Sequence, residues 1–184
     1  PQADRITLRH LLNHTSGYPD FWAQDYPHAA MLRPIAPDAV VDGWARVGVD
    51  FEPGHEFRYS NTGYTIAALM VQRLSQQALF AFEQERIFRP LGMTGVAPIN
   101  TNQPINSVGH SRWGLAPVMA SVREGDGWLL GAGDLAMRAS DLARWNISLM
   151  RGGLLSAETI AAMTTTTPTT PSYGLGLIIA NENG

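Results

Sequence analysis

The hydrophobic and polar positions of this 184-residue chain predict a mostly helical protein. Between residues 62 and 74 almost every position is apolar, which indicates a helix that is buried on most of its sides. Further helices are predicted over residues 38–47 and 79–88, where apolar residues recur at helical spacing. Two short helices are predicted to begin after Thr7 and Ser156, because their hydroxyl groups can accept a backbone N–H of the first turn.

The middle and the end of the chain carry different patterns. Residues 100–133 are rich in Gly, Pro, Asn and Ser and predict long loops with one short hairpin, after which residues 140–151 predict a helix. Residues 164–171 predict an extended Thr/Pro link, and residues 173–180 alternate in the period-two pattern of a strand. No second strand pattern of comparable length is present, and a strand needs partners for its backbone groups. We therefore expect most of its sheet to lie outside this chain.

The length indicates one domain, and the lone strand predicts that it is a partial one, with a helical region at residues 1–163, the link at 164–171 and the strand at 173–180. The net charge of -3 comes from 13 basic and 16 acidic residues without a run of either sign, which argues against a nucleic-acid partner. No apolar stretch approaches the roughly 18 residues of a transmembrane helix. The absence of Cys excludes thiol nucleophiles, disulfides and Cys-ligated zinc.

Tyr59 and Asn61 are the residues with the most specific chemical information. They form the tripeptide Tyr-Ser-Asn at the entrance of the apolar helix, after the turn signal Pro53-Gly54. This tripeptide resembles Tyr-x-Asn, the middle catalytic motif of the serine β-lactamase and penicillin-binding-protein-like hydrolases. Other segments resemble the class C β-lactamase, esterase and D-alanyl-D-alanine peptidase group of this family, in the family's order: residues 6–17, 91–94, 131–135 with 139–145, 154–159 and 173–177.

The resemblance implies the helical domain of an α+β serine β-lactamase-like fold, with one C-terminal strand from an otherwise missing antiparallel sheet. In this family, the serine of a Ser-x-x-Lys motif attacks an amide or ester carbonyl and becomes acylated, without a metal or an organic cofactor. By the resemblance, Tyr59 would move protons among that serine, the leaving group and the acceptor, and Asn61 would hold the substrate by hydrogen bonds. The small-molecule or peptide acyl substrate is left open among β-lactams, D-Ala peptides and simple esters.

The outer motifs of the family do not occur in this chain. All 13 basic residues are Arg, so Ser-x-x-Lys cannot be formed, and no His is followed by the pattern of the third motif, His/Lys-x-Gly. We expect these motifs upstream of Pro1 and downstream of Gly184, in a parent protein of about twice this length. The missing flanking segments would then be partners of this chain. Family members are often exported to the bacterial envelope, so a periplasmic or secreted location is favoured and a cytoplasmic one stays open.

A rival interpretation is a catalytically inert fragment, or a degenerate homologue that acts as a binding or scaffold module. On this interpretation Tyr59 is a half-buried core tyrosine and Asn61 is an ordinary helix N-cap. To act as a base near neutral pH, Tyr59 would need its pKa lowered by about 3 units through nearby cations. We therefore expect this chain alone to be inactive and the parent protein to be the enzyme.

Two further sets of residues are candidates for a site. Aromatic residues that could line a substrate cleft, or alternatively pack in the core, are Tyr18, Trp22, Trp113 and Trp128. His10 and His14 stand four residues apart on a predicted helix, which is the spacing of two zinc ligands. Leu11 stands where a zincin carries Glu, and a third ligand is not evident, so no metal site is predicted.

Overall fold

The computed structural model describes residues 2–24, 27–99 and 107–180. Helices dominate these residues, as the sequence predicts. The α-helices are α1 (Leu8–Leu12), α2 (Pro37–Val40), α3 (Asn61–Ser75), α4 (Leu79–Glu83), α5 (Ala139–Arg151) and α6 (Ala157–Thr164). Helices α2 and α4 each continue into a π-helical turn, at Val41–Ala45 and Gln84–Phe88, and a 3₁₀ turn covers Ala29–Leu32.

The two predicted helix caps are confirmed. At the start of α1, the Thr7 hydroxyl accepts the N–H of His10 at 3.3 Å, and Nδ1 of His10 accepts the N–H of Thr7 at 3.3 Å. At the start of α6, the Ser156 hydroxyl accepts the N–H of Thr159 at 3.1 Å. Each bond satisfies a backbone donor that the first helical turn leaves without a partner.

The strands among the described residues are short and form two antiparallel pairs. β1 (Ala97–Pro98) pairs with β4 (Leu135–Ala136), so that residues far apart in the chain meet. β2 (His110–Ser111) pairs with β3 (Met119–Ala120) and forms the hairpin predicted in the middle of the chain. Across the described ranges, every helix is too short or too polar to cross a lipid bilayer.

Helix α3 is the central helix of the fold and packs against α1, α2 and α4. Its N-terminal half is buried, and a Cβ added at Gly63 would lie only 3.1 Å from the carbonyl oxygen of Leu11, so glycine lets α1 approach closely. The predicted burial on most sides holds for this half only. Leu74 in the last turn is 83% exposed, because the neighbouring helices leave that side of α3 uncovered.

The segment after α1 joins two clusters of buried hydrophobic residues. Phe21 belongs to the first cluster, together with Met31, Val40 and Trp128. Tyr18 belongs to the second, together with Leu11 and Ala45. Because burying one such side chain contributes about 1.5–3 kcal/mol, residues 18–21 are anchored firmly at both ends. This anchoring places the intervening Asp20 at the start of α3.

The Thr/Pro segment at residues 164–171 is folded more tightly than predicted. The N–H of Thr170 donates to the carbonyl oxygen of Thr167 at 2.9 Å, and the two hydroxyl groups lie 3.0 Å apart. Thr170 is also fully buried. The extended link is therefore a wrong prediction, because the threonine side chains bond to one another and close a turn.

The continuous strand predicted over residues 173–180 is also wrong. Tyr173 pairs with Ile178 in an isolated antiparallel bridge, so the segment turns back on itself. Gly176 has a φ of +77°, which glycine adopts without the steric cost of a Cβ. Alternation of larger apolar and small residues suits a tight hairpin as well as a strand. That the remainder of a sheet lies outside this chain stays a prediction.

Candidate active site

The start of α3 carries Tyr59 and Asn61. Ser60 is the N-cap residue, but its side chain makes no capping bond. Asp20 caps the helix instead, since its Oδ1 accepts the backbone N–H of Asn61 at 2.9 Å. The positive end of the helix dipole favours a carboxylate at this position. The alternative that Asn61 is the N-cap is therefore wrong: Asn61 is the first helical residue and is itself capped.

Asp20 also orients the side chain of Asn61. Nδ2 of Asn61 lies 3.2 Å from one carboxylate oxygen of Asp20 and 3.3 Å from the other. A carboxylate accepts hydrogen bonds and does not donate them, so the amide nitrogen must face Asp20. Oδ1 of Asn61 is the end of the amide that Asp20 does not engage. The arrangement leaves this oxygen as an acceptor for a donor group of a ligand.

The loop before Trp22 is bonded to the first turn of α3. The hydroxyl of Thr62 donates to the carbonyl oxygen of Pro19 at 2.7 Å and accepts the N–H of Phe21 at 3.2 Å. The backbone N–H of Trp22 donates to Oδ1 of Asp20 at 3.2 Å. These bonds fix the position of Asp20 relative to the helix that it caps.

A cluster of rings surrounds the buried imidazole of His14. We call it the histidine cluster, and its members are His14, Phe57, Tyr59, Tyr64 and Tyr173. Nδ1 of His14 accepts the backbone N–H of Ser60 at 3.1 Å, and Nε2 lies 3.1 Å from the hydroxyl of Tyr173. Burial lowers the pKa of His14 to about 4, so the ring is neutral at pH 7.

Tyr59 is half-exposed, with 51% of its surface accessible, and its ring centre lies 4.2 Å from that of His14. Burial raises the pKa of Tyr59, and the neighbouring Tyr173 and Asp20 raise it further. The guanidinium group of the adjacent Arg58 forms an ion pair with the carboxylate of Asp50 at 2.8 Å. Tyr59 is thus a neutral phenol, which can donate a proton or a hydrogen bond but is not a base at pH 7.

The other two tyrosines of the histidine cluster are neutral phenols as well. The hydroxyl of Tyr64 donates to the carbonyl oxygen of Leu12 at 2.8 Å and so ties α3 to the end of α1. Burial is the main cause that raises the pKa of both Tyr64 and Tyr173. Their hydroxyl groups therefore act as hydrogen-bonding groups within the cluster.

The aromatic candidates occupy different parts of the fold. Tyr18 and Trp128 lie in the two core clusters, and the indole N–H of Trp128 donates to the carbonyl oxygen of Arg33 at 2.9 Å. Trp22 is half-buried against the first core cluster and is tied to Asp20 by its backbone. Trp113 is 58% exposed in the loop between β2 and β3. A role of any of these residues in substrate binding stays a prediction.

The two histidines that share zinc-ligand spacing have other partners. Nδ1 of His10 accepts the N–H of Thr7, and both ring nitrogens of His14 make contacts within the histidine cluster and with Ser60. Within residues 2–24, 27–99 and 107–180, no three or more His, Asp or Glu side chains are grouped so that they could hold a metal ion.

Comparison with known proteins decides the family. Residues 1–184 match the family model described as Beta-lactamase. The chain belongs to the Beta-lactamase family. Its relatives include the Bacillus subtilis protein PbpX, named among the penicillin-binding proteins, which is 28% identical over 98% of this chain and 44% of its own length. Across the curated relatives, the match covers 25–46% of the relative's own length, so this Beta-lactamase-family chain spans less than half of them.

Solved structures of similar proteins share the fold of this chain. The D-amino acid amidase of Ochrobactrum anthropi SV3, complexed with L-phenylalanine, is 28% identical with a TM-score of 0.80, over 97% of this chain and 54% of its own. The D-stereospecific amidohydrolase of a Streptomyces species is 27% identical with a TM-score of 0.78, over 93% and 56%. The expected family is confirmed. This chain, which is rich in helices and has small antiparallel sheets, has the serine β-lactamase-like fold.

Sequence reasoning missed most of the surroundings of Tyr59 and Asn61 in this Beta-lactamase-family chain. It did not find Asp20 as the cap of α3, nor the partners of His14 at Ser60 and Tyr173. These contacts join residues 41, 46 and 159 positions apart. The local signal was an Asp after Pro19, which favours turns and caps, but it does not indicate which helix is capped.

Proposed function

We propose that this chain supplies Tyr59 and Asn61 to the site of a serine hydrolase that cleaves an amide or an ester through an acyl-serine intermediate. The observation that carries the proposal is the capped start of α3. There Asp20 holds the amide nitrogen of Asn61 at 3.2 Å, and the half-exposed Tyr59 stands two residues before it. Membership of the Beta-lactamase family supports the reaction class.

In the proposed acylation, the serine oxygen forms a bond to the substrate carbonyl carbon and the bond to the leaving group breaks. The serine proton passes to the leaving nitrogen or oxygen, and water later hydrolyses the acyl-serine ester. The serine belongs to the Ser-x-x-Lys motif that we expect outside this chain. Oδ1 of Asn61 would accept an N–H of the substrate and so fix its carbonyl for attack.

Tyr59 would carry the proton between the serine and the leaving group. As a neutral phenol it can donate to the leaving group directly. To accept a proton at pH 7, its pKa would have to lie about 3 units below the usual tyrosine value of about 10, which corresponds to about 4 kcal/mol of preference for the phenolate. Because the pKa of Tyr59 is raised in this chain, the proposal requires cations from outside residues 1–184 to complete the site.

The relatives favour amides formed by D-amino acids as the substrate class. The proteins named D-amino acid amidase and D-stereospecific amidohydrolase are 28% and 27% identical to this chain. An amide of a D-amino acid offers both a scissile carbonyl and a polar N–H, which suits an acceptor such as Oδ1 of Asn61. β-Lactams and simple esters are the alternative substrate classes.

The test is hydrolysis by the protein expressed from its complete open reading frame, with D-phenylalanine p-nitroanilide and p-nitrophenyl acetate as probes. Tyr59→Phe is expected to lower kcat by about 10²–10⁴-fold, the usual contribution of a positioned acid–base group. Asn61→Ala is expected to lower kcat/KM by about 100-fold through lost positioning. Asn146→Ala is the matched control, because Asn146 is exposed on α5.

Two outcomes would contradict the proposal. Unchanged kinetics in Tyr59→Phe and Asn61→Ala would show that the start of α3 takes no part in the reaction. Failure of the wild-type protein to hydrolyse either probe or to be acylated would favour the inert binding or scaffold module instead.

A further inference from the structure

His14 occupies a position that costs the chain backbone strain and buries a polar ring. Its φ is +60°, in the left-handed region that residues with a Cβ seldom adopt, although His does so more often than most. Only 1% of its surface is exposed. Residues in such conformations persist where the surrounding contacts fix them, and they cluster at functional sites. The side chain of His14 contacts residues 57–64, which lead into α3, and Tyr173 of the C-terminal hairpin.

The hydrogen bonds of His14 determine its tautomer. Ser60 is buried, and its backbone N–H donates to Nδ1 of His14 at 3.1 Å. Nδ1 must therefore carry a lone pair, and the ring proton must lie on Nε2. Nε2–H then donates to the hydroxyl of Tyr173 at 3.1 Å. A second ring proton on Nδ1 would point at the N–H of Ser60 and would break this bond.

The faces of the imidazole are covered by the histidine cluster. The ring of Tyr59 is inclined by 36° to that of His14 with the centres 4.2 Å apart, and the ring of Tyr64 lies at 5.1 Å. Phe57 meets the ring edge-on at 5.9 Å. Among the described residues, the titratable side chains in ring contact with His14 are thus Tyr59, Tyr64 and Tyr173, and the hydroxyl of Tyr173 is the one bonded to its imidazole. One residue therefore contacts the side chain of Tyr59 and the backbone of the next residue together.

We propose that His14 is a positioning residue, whose neutral Nε2–H imidazole holds the Ser60 backbone and thereby sets the places of Tyr59 and Asn61. Asp20 fixes the motif from its C-terminal side, through the N–H of Asn61, and His14 fixes it from within, through the N–H of Ser60. The part of this inference that concerns activity rests on the proposed function. The part that concerns geometry does not depend on it.

The geometry is tested in the protein expressed from its complete open reading frame and labelled with ¹⁵N. A long-range ¹H–¹⁵N spectrum reports the tautomer of His14. The hydrogen bond itself is detected as a scalar coupling between the backbone nitrogen of Ser60 and Nδ1 of His14. We expect the neutral Nε2–H tautomer at pH 7 and still at pH 5.5, where a solvent-exposed imidazole is mostly protonated. An imidazolium at pH 5.5, an Nδ1–H tautomer, or no coupling to Ser60 would overturn the proposal.

Two substitutions separate positioning from folding. In His14→Asn, the amide oxygen takes the place of Nδ1 and can accept the N–H of Ser60, and Asn tolerates a positive φ. In His14→Gln, the longer amide reaches the place of Nε2 and leaves the N–H of Ser60 without its acceptor. Gln76 already has a φ of +57° in this chain, so glutamine is compatible with the backbone.

We expect His14→Asn to keep kcat within about tenfold of wild type and His14→Gln to lose about 100-fold, with little change in KM. The NMR chemical shifts of the Tyr59 ring protons should change in His14→Gln and stay near the wild-type values in His14→Asn. Equal losses in two equally folded variants, or losses that follow only their melting temperatures, would overturn the proposal. If the wild type hydrolyses no probe, the proposed function fails while the Tyr59 shifts still decide the role of His14. If neither variant folds, the wild-type tautomer and coupling decide it.

Discussion

Protonation of Glu83 and protonation of His14 change the stability of the fold in opposite directions. It ends α4, and its buried Oε2 has no hydrogen-bond partner among the described residues. Burial, with a smaller contribution from the nearby Asp134, raises the pKa of Glu83 from 4.5 to about 7. The folded protein therefore keeps the carboxyl group protonated at pH values where the unfolded chain has released the proton. The perturbation that exposes this effect is Glu83→Gln, a neutral group of the same shape.

The two groups change the free energy of unfolding in opposite directions. Folding lowers the pKa of His14 from 6.5 to about 4. Between these pH values the imidazole is protonated in the unfolded chain and neutral in the folded protein, so stability is lost as the pH falls from 6.5 to 4. For Glu83 the folded protein holds the extra proton, and stability is lost as the pH rises from 4.5 to 7. Between pH 4.5 and 6.5 the two slopes therefore oppose each other.

The size of each effect follows from the shift in pKa. A shift of about 2.5 units corresponds to about 3 kcal/mol at 1.4 kcal/mol per unit. Solvent screening reduces this for the half-buried Glu83 to about 1–2 kcal/mol. Glu83→Gln should therefore match wild type at pH 4.5 and exceed it by about 1–2 kcal/mol at pH 7.5. In the variant, the slope of His14 is no longer masked, so its stability should fall on acidification.

The assay is urea denaturation followed by circular dichroism, at half-unit steps between pH 4.5 and 7.5, on the protein from its complete open reading frame. The difference between variant and wild type isolates Glu83, because the other carboxyl groups contribute to both. Glu85→Gln is the control, since Glu85 is exposed on the adjoining π-helical turn. A difference between Glu83→Gln and wild type that does not change with pH would refute the reasoning.

Three further predictions concern the start of α3 and its supports. Asp20→Ala should destabilise the protein by about 1 kcal/mol, because the cap of α3 is lost, and should lower kcat by about tenfold, because Asn61 is no longer held; urea denaturation and steady-state hydrolysis measure the two effects. Gly17→Ala should lower the free energy of unfolding by more than about 2 kcal/mol, because φ is +80° and the new Cβ would overlap the carbonyl oxygen of Phe51. Gly43→Ala is the control: its Cβ meets no atom within 4 Å, so the substitution should be neutral or stabilising. Tyr173→Phe should cost about 1–2 kcal/mol in the same assay, since it leaves the buried imidazole N–H without an acceptor.

Sequence predicts the elements whose signals are local. Thr7 and Ser156 are predictable as caps because a cap and its helix are adjacent in the chain. The apolar run after Tyr59 likewise predicts α3 to within one residue at each end. For residues 173–179 the sequence predicts a strand where the structure has a hairpin, because period-two alternation does not distinguish one long strand from two short arms joined at a glycine.

The surroundings of the candidate site depend on contacts between distant residues. Tyr59 and Asn61 stand out from the sequence through the resemblance to Tyr-x-Asn, but the residues that hold them do not. Asp20 and His14 are polar residues after a short helix, and the tertiary fold alone brings them to the start of α3. The exposure of Leu74 has the same origin, since an apolar pattern does not tell which neighbours cover it.

The most direct test of the proposed hydrolase is the intact mass of the protein from its complete open reading frame, before and after incubation with a fluorophosphonate and with a penicillin-type acylator. The proposal predicts a gain of one phosphonyl or acyl group, located by peptide mapping on a serine outside the Tyr-Ser-Asn tripeptide. No adduct with either reagent would contradict it, and Tyr59 and Asn61 would then belong to a protein that binds without catalysis.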